Sequence, residues 1–188
     1  QNINDSGFVK NLILRARSEF NVDPKRVHIM GHSNGGFLAH RVARDHSDLI
    51  ASIASIAGAM DREDSFSPPK SPVHVLQVHG TRDDIVPYEG GLLRPDIPRL
   101  SRRLPMTGAE ETVNRWAAWN GCGSLQHDES PSLDLVSTLT GLDTTVSRAV
   151  SCSGAEAELW TIENGSHAPD FTSALAAKVA EWLLTHPK

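Results

Sequence analysis

The sequence lacks most of the features that assign a chain at a glance. No apolar run in its 188 residues approaches the length of a membrane span, so no membrane partner is expected. No internal repeat or low-complexity tract is present, which excludes a solenoid or a fibrous array. No broad basic surface is implied by a net charge of −5, and this argues against a nucleic-acid partner. The first residues carry no basic-then-apolar pattern, but the chain starts at Gln1, and nothing about its compartment follows from that start. Cysteine is scarce. Cys122 and Cys152 have no Cys-x-x-Cys spacing and are too few for a zinc site. No histidine pair shows metal-ligand spacing with carboxylates, so neither a metal nor a cofactor is expected. The two thiols are either one disulfide, which would stabilise the fold by roughly 3–4 kcal/mol, or two unrelated buried side chains.

The composition that remains is ordinary for one globular domain, with 39% apolar and 22% charged residues. Residues 5–20 read as an amphipathic helix with Val9, Leu12, Ile13, Ala16 and Phe20 on one face and Asp5 or Ser6 as its cap. Strands are expected at 27–30, 50–57, 73–78 and 157–163, and an antiparallel pair at 133–138 and 144–151. Helices are expected over 34–46, from a Thr107–Glu110 capping box to about Asn120, and over 170–186. Alternation of this kind predicts an α/β layer fold with a mostly parallel sheet and flanking helices. The connection at 87–107 holds four prolines, and its length marks it as functional or irregular. Within it Arg94, Arg99, Arg102 and Arg103 read as a solvated face.

The most informative stretch is Gly31-His32-Ser33-Asn34-Gly35, at the junction of an expected strand and an expected helix. It fits the Gly-x-Ser-x-Gly nucleophile elbow, in which a sharp turn presents the serine hydroxyl at the top of a sheet. Gly31 and Gly35 are then small so that strand and helix can approach closely. The pattern is weak by itself, and a Gly-rich turn with an incidental serine is the plain alternative. A serine hydroxyl attacks only when a base takes its proton, and that base is usually a histidine oriented by a carboxylate. Asp83 and Asp84 follow the strand at 73–78, and His167 follows the strand at 157–163. Type, chain order and position therefore agree three times over. The other eight histidines lack the combination: His32 is the variable elbow residue, His40 is a surface or packing position, and His79 makes a local hydrogen bond.

These residues resemble the polyhydroxybutyrate depolymerase and feruloyl esterase group of secreted α/β-hydrolases. The resemblance runs over nearly the whole chain. It includes Asp5-Ser6-Gly7-Phe8-Val9, Asp23-Pro24-Lys25-Arg26-Val27, Gly31-His32-Ser33-Asn34-Gly35-Gly36 and His79-Gly80-Thr81-Arg82-Asp83 with Val86-Pro87-Tyr88. It continues through Arg115-Trp116-Ala117-Ala118-Trp119-Asn120-Gly121-Cys122, and Glu158-Leu159-Trp160-Thr161-Ile162 before Gly165-Ser166-His167. It implies Ser33 as nucleophile, Asp83 rather than Asp84 as the acid, and His167 as the base. It also implies a Cys122–Cys152 disulfide and a secreted or periplasmic location, where such a bond persists.

Two departures qualify it. The group often carries Thr-Trp-Pro-Gly after the catalytic histidine, and here the residues are Ala168-Pro169-Asp170-Phe171, so a tryptophan that could line a substrate cleft is missing. An α/β-hydrolase also places several strands before the elbow, one of whose loops gives the second oxyanion-hole N–H. This sequence reads as having none before residue 26. The Asn34 backbone N–H serves as one donor and the second is absent from this chain. The chain is therefore expected to be the C-terminal portion of an α/β-hydrolase domain. Its N-terminal strands would lie upstream or on another chain, and that N-terminal fragment would be its partner. The expected activity is serine ester hydrolysis through an acyl-enzyme. The substrates would be small-molecule or polymer esters: hydroxycinnamoyl or acetyl polysaccharide esters, or hydroxyalkanoate esters. Tyr88, Leu92 and Leu93 would flank the cleft, unless that loop is only a surface connection. The alternatives are a catalytically silent polysaccharide- or polymer-binding relative and a serine peptidase on the same scaffold.

Overall fold

The computed structural model describes residues 4–62, 67–93 and 105–188. The four arginines at 94, 99, 102 and 103, and much of the 87–107 connection, lie outside the described residues. Ten elements follow in chain order. They are α1 (Asp5–Glu19), β1 (His28–His32), α2 (Asn34–Asp45), β2 (Ser52–Ile56), β3 (His74–Gly80), α3 (Ala109–Trp119), β4 (Leu125–His127), β5 (Thr144–Ala149), β6 (Ala157–Ile162) and α4 (Ser173–Thr185). One sheet runs β1-β2-β3-β6-β5-β4. The first four strands are mutually parallel, and β5 and β4 add on antiparallel. Helices cover both faces, as a parallel sheet requires.

Strand alternation divides the core in two. Ile53, Val75 and Leu159 point to the face covered by α2 and α3, where they meet Ala39, Val42, Val113 and Trp116. Ala54, Leu76, Val78, Trp160 and Ile162 point to the other face and meet Leu175, Val179 and Trp182 of α4. Successive side chains of a strand face opposite layers, so an almost wholly apolar strand serves both.

Several local expectations are corrected. On its outer side β5 pairs antiparallel with β4, which no β-branched residue announces, and 133–138 is not a strand but meets β5 at a single antiparallel bridge from Leu133 to Thr144. The N–H groups of Leu135 and Val136 bond to the Asp143 carboxylate, at 3.1 and 2.8 Å, and are thereby withdrawn from any ladder. The cap of α1 is Asn4, whose side chain accepts from Gly7 N–H at 2.9 Å, and not Asp5 or Ser6. The N-cap of α3 is Gly108, which has no side chain to offer, and the Thr107 hydroxyl pairs with Thr112 inside the fold, so the expected capping box does not form. Leu12 and Phe20 do not share the inward face of α1. They are 50% and 67% exposed. The thiols are one disulfide, Cys122–Cys152, tying the end of α3 to the turn before β6.

Candidate active site

Ser33 lies between the last residue of β1 and the first of α2, at φ 54° and ψ −118°. A non-glycine residue in that region is strained by about 1–3 kcal/mol, and such strain concentrates at functional sites. The turn is held by Ser33 N–H donating to the Ile56 carbonyl of β2 at 2.8 Å. Gly31 is required, since a Cβ there would lie 2.2 Å from the Gly35 backbone. Gly35 itself has open space, which corrects the expectation for that residue. The second close approach belongs to Gly36, whose Cβ would meet Ser55 Oγ at 2.7 Å. The Asn34 N–H opens α2 without an intrahelical acceptor, at the positive end of the helix dipole.

The structure brings Ser33, Asp83 and His167 together from loops after β1, β3 and β6. Ser33 Oγ is 2.9 Å from His167 Nε2, and His167 Nδ1 is 2.8 Å from Asp83 Oδ2. A carboxylate can only accept, so His167 carries its proton on Nδ1 and turns a bare Nε2 to the serine. The other oxygen of Asp83, Oδ1, accepts from the N–H groups of Ile85 and Val86 at 2.9 and 2.8 Å. Burial alone would raise the Asp83 pKa. The hydrogen bonds from His79, His167 and Val86 outweigh it and hold the carboxyl below its usual range. Asp84 is exposed and takes no part.

The loops that carry Asp83 and His167 are fastened to each other. Arg82 N–H donates to the Gly165 carbonyl at 2.9 Å, and Asn164 N–H to the Thr81 hydroxyl at 2.8 Å. A Cβ at Gly80 would lie 2.2 Å from the Gly165 carbonyl oxygen, so the two loops cross in direct contact. The elbow is fastened to the base loop by a residue that the sequence reading passed over. His32 Nε2 donates to the His167 carbonyl at 2.9 Å, and the two rings sit 5.1 Å apart. The signal available in the sequence was its place beside Ser33. His79 makes the expected local bond, to the Val86 carbonyl at 2.8 Å, and also lies 3.3 Å from Asp83 Oδ2.

A cleft of about 800 Å³ opens at Asn34 and Gly35 and runs along α2 past Phe37, Leu38 and Arg41. Leu93 and Met60 line its other side. Tyr88 is turned inward, its hydroxyl 2.8 Å from the Thr161 hydroxyl, and burial pushes its pKa up to about 12. Among the described residues, no group of three histidine, cysteine or acidic side chains is arranged to hold a metal ion.

A model of the prolyl oligopeptidase family matches residues 11–69, the segment that contains the elbow. A candidate esterase, NocK, of Nocardia uniformis subsp. tsuyamanensis is 28% identical over 167 residues, covering 87% of this chain and 48% of that protein. Feruloyl esterase B of Piromyces equi is 29% identical over 171 residues, covering 87% of this chain and 29% of its own length. The chain thus spans about half or less of the curated relatives it matches. Among solved structures, an acetyl xylan esterase from Aspergillus awamori superposes with a TM-score of 0.59 at 14% identity, over 95% of this chain and 66% of the other. At that identity the likeness concerns the fold. The relatives in sequence are esterases, and the likeness to solved structures gives the chain the α/β-hydrolase fold.

Proposed function

We propose that this chain carries the nucleophile, acid and base of a serine carboxylic-ester hydrolase working through an acyl-enzyme. The observation that carries the reading is the unbroken line from Ser33 Oγ through His167 to Asp83, with both hydrogen bonds under 3 Å. His167 Nε2 accepts the Ser33 proton as Oγ bonds to the ester carbonyl carbon. The tetrahedral oxyanion is stabilised by the Asn34 N–H and the α2 dipole. His167 then returns the proton to the departing alcohol oxygen as the C–O bond breaks. Water repeats the sequence in reverse, losing its proton to His167 and releasing the acid. Asp83 remains ionised throughout, orienting the imidazole and stabilising its charged form.

Hydroxycinnamoyl or acetyl esters of polysaccharide are the favoured substrates, with hydroxyalkanoate esters next. The names of the relatives support the first. The disulfide supports a secreted or periplasmic setting. The prolyl oligopeptidase match favours one second reading, a peptidase using the same three residues. A fluorophosphonate probe should attach once, and Ser33→Ala should abolish the label. No label on the intact protein would sink the enzyme reading. Turnover of methyl ferulate and p-nitrophenyl acetate, with none of a proline-containing peptide, then separates esterase from peptidase.

The same reading includes an upstream segment that completes the domain. Of the eight large apolar side chains exposed among the described residues, Phe8, Leu12, Leu14, Phe20 and Met30 lie on α1, its end and β1. Such a concentration beside an edge strand suits a covering partner. That segment would add a strand against β1 and bring the second oxyanion donor, worth about a hundred- to a thousandfold in rate. Co-expression of the 188 residues with and without their upstream sequence tests this. Full activity of the soluble 188-residue chain alone would refute it.

A further inference from the structure

Two buried histidines, His40 and His79, take no part in the proton transfers above, and both lie on one chain of hydrogen bonds that ends at Asp83. It starts on α3, where the Trp116 indole N–H donates to His40 Nδ1 at 3.0 Å. His40 Nε2 lies 3.0 Å from Gln77 Oε1. Gln77 Nε2 lies 3.0 Å from His79 Nδ1 and 2.8 Å from the Gly58 carbonyl. His79 Nε2 closes the chain at the Val86 carbonyl, 2.8 Å, and Asp83 Oδ2, 3.3 Å. None of these four side chains is more than 2% exposed.

The direction of every bond is fixed by its ends. An indole N–H can only donate, and backbone carbonyls can only accept. The Gly58 carbonyl therefore sets the Gln77 amide with its nitrogen toward Gly58 and His79 and its oxygen toward His40. His40 must then carry its proton on Nε2 and leave Nδ1 bare for Trp116. His79 must leave Nδ1 bare for Gln77 and carry its proton on Nε2, facing Asp83. Reversing any one of them would set two acceptors or two donors face to face in a dry interior, at a cost of order 1–3 kcal/mol. Burial, opposed only by the Gln77 bond, also pushes the His40 pKa down to about 4 and keeps that ring neutral.

We propose that Trp116, His40, Gln77 and His79 form a one-way chain that locks His79 as a donor to Asp83, making His79 a positioning residue for the acid of the triad. The proposal rests on the assignment of Asp83 as that acid. Asp83 Oδ2 then accepts from His167 and has His79 Nε2 at 3.3 Å, an N–H shared with the Val86 carbonyl, and Oδ1 accepts from two backbone N–H groups. Its plane is held whether or not His167 is protonated. Side-chain networks of this kind rigidify when every member is satisfied.

Nitrogen-15 NMR of the intact protein at neutral pH tests the chain without reference to activity. Both His40 and His79 should be neutral, with the proton on Nε2. A proton on Nδ1 of either ring overturns the proposal, whatever the enzyme does. Kinetics on an ester that the wild type turns over test the consequence. His79→Leu should lower kcat about tenfold, the loss of one hydrogen bond to a charged group, with KM unchanged. His79→Gln, whose amide N–H can stand in for Nε2–H, should recover most of it. Equal kcat in wild type and His79→Leu overturns the positioning role. If His79→Leu does not fold, the tautomers of the wild type decide. Wild type that takes no fluorophosphonate label fails the esterase reading instead and leaves the tautomer result standing.

Discussion

The two ends of the parallel sheet are finished to different degrees. At β3 and β6, which carry Asp83 and His167, all six residues of β6 and six of the seven in β3 are buried. Their loops are bonded to each other, and Asp83 is saturated with donors. At β1 and α1, which lead into Ser33, no residue of β1 is fully buried, and Phe8, Phe20 and Met30 are each more than half exposed. Asp83 and His167, the proposed acid and base, are thus positioned by contacts internal to this chain. Ser33, the proposed nucleophile, is positioned by contacts to β2, α2 and the His167 loop, on a strand that ends the described sheet. Completeness of packing and completeness of chemistry fall off together along the strand order.

Four perturbations break or sharpen that contrast. The largest effect is expected on the finished side. Asp83→Asn should cost about 10⁴-fold in kcat, because the imidazole loses its orienting acceptor and prefers the wrong tautomer. Asp84→Asn, one residue away and exposed, should leave kcat unchanged. Comparing initial rates on p-nitrophenyl acetate decides between the two carboxylates.

Stability should follow the same gradient. Leu159→Ala, in the fully buried β6, should destabilise by about 2–5 kcal/mol. Leu12→Ala, on the exposed side of α1, should change unfolding by less than about 0.5 kcal/mol in the 188-residue chain. Urea melts of both variants measure it, and equal losses would erase the distinction. If the upstream segment covers α1, the Leu12→Ala cost should grow in the longer protein.

Acid should attack the buried side. His40 is neutral in the fold with its pKa at about 4, and in the unfolded chain it titrates near its ordinary 6.5. Between those values the unfolded state binds the extra proton. The His40 contribution is therefore intact above pH 6.5, is lost as pH falls toward 4, and amounts to at most about 3 kcal/mol. Thermal unfolding from pH 7 to 4 in wild type and His40→Gln should converge as pH falls.

The smallest effect is expected at the seam between the two regions. Among the described residues, the His32–His167 bond is the one hydrogen bond from elbow to base loop besides the Ser33–His167 pair itself. On the proposed mechanism the latter is broken and remade in each turnover, which leaves His32 as the lasting tether. His32→Leu should lower kcat a few-fold, as expected for one net hydrogen bond of about 1 kcal/mol. His32→Gln, which keeps a donor at the same reach, should restore it. Unchanged kcat in His32→Leu would remove the tether from the account.

Much of this was legible in residues 27–36, 79–87 and 163–167, because elbow, acid and base are each announced by local residues at a strand end. The mostly parallel character of the sheet also followed from the alternation of strands and helices. Other features were hidden for physical reasons. β4 is three residues long and owes its existence to the edge of β5. The 133–138 segment looks like a strand, but the N–H groups of Leu135 and Val136 are diverted to the Asp143 carboxylate, eight and seven residues away in sequence yet outside any periodic pattern. The apolar residues of α1 were assigned to one buried face. Their exposure depends on which neighbours cover the helix, and a helical period does not specify neighbours.

By itself the sequence determined the α/β alternation, the glycines that permit a tight turn before a helix, and the choice of serine, aspartate and histidine in that order. Those are properties of short segments, where side-chain size and polarity act over a few residues. Tertiary structure alone decided which glycine is crowded, Gly36 rather than Gly35. It also decided that His40 and His79 lie buried on one chain of hydrogen bonds, and that His32 grips the loop of His167. Such outcomes depend on which groups the fold brings together, as far apart in sequence as His32 and His167, 135 residues, and a local pattern does not specify them.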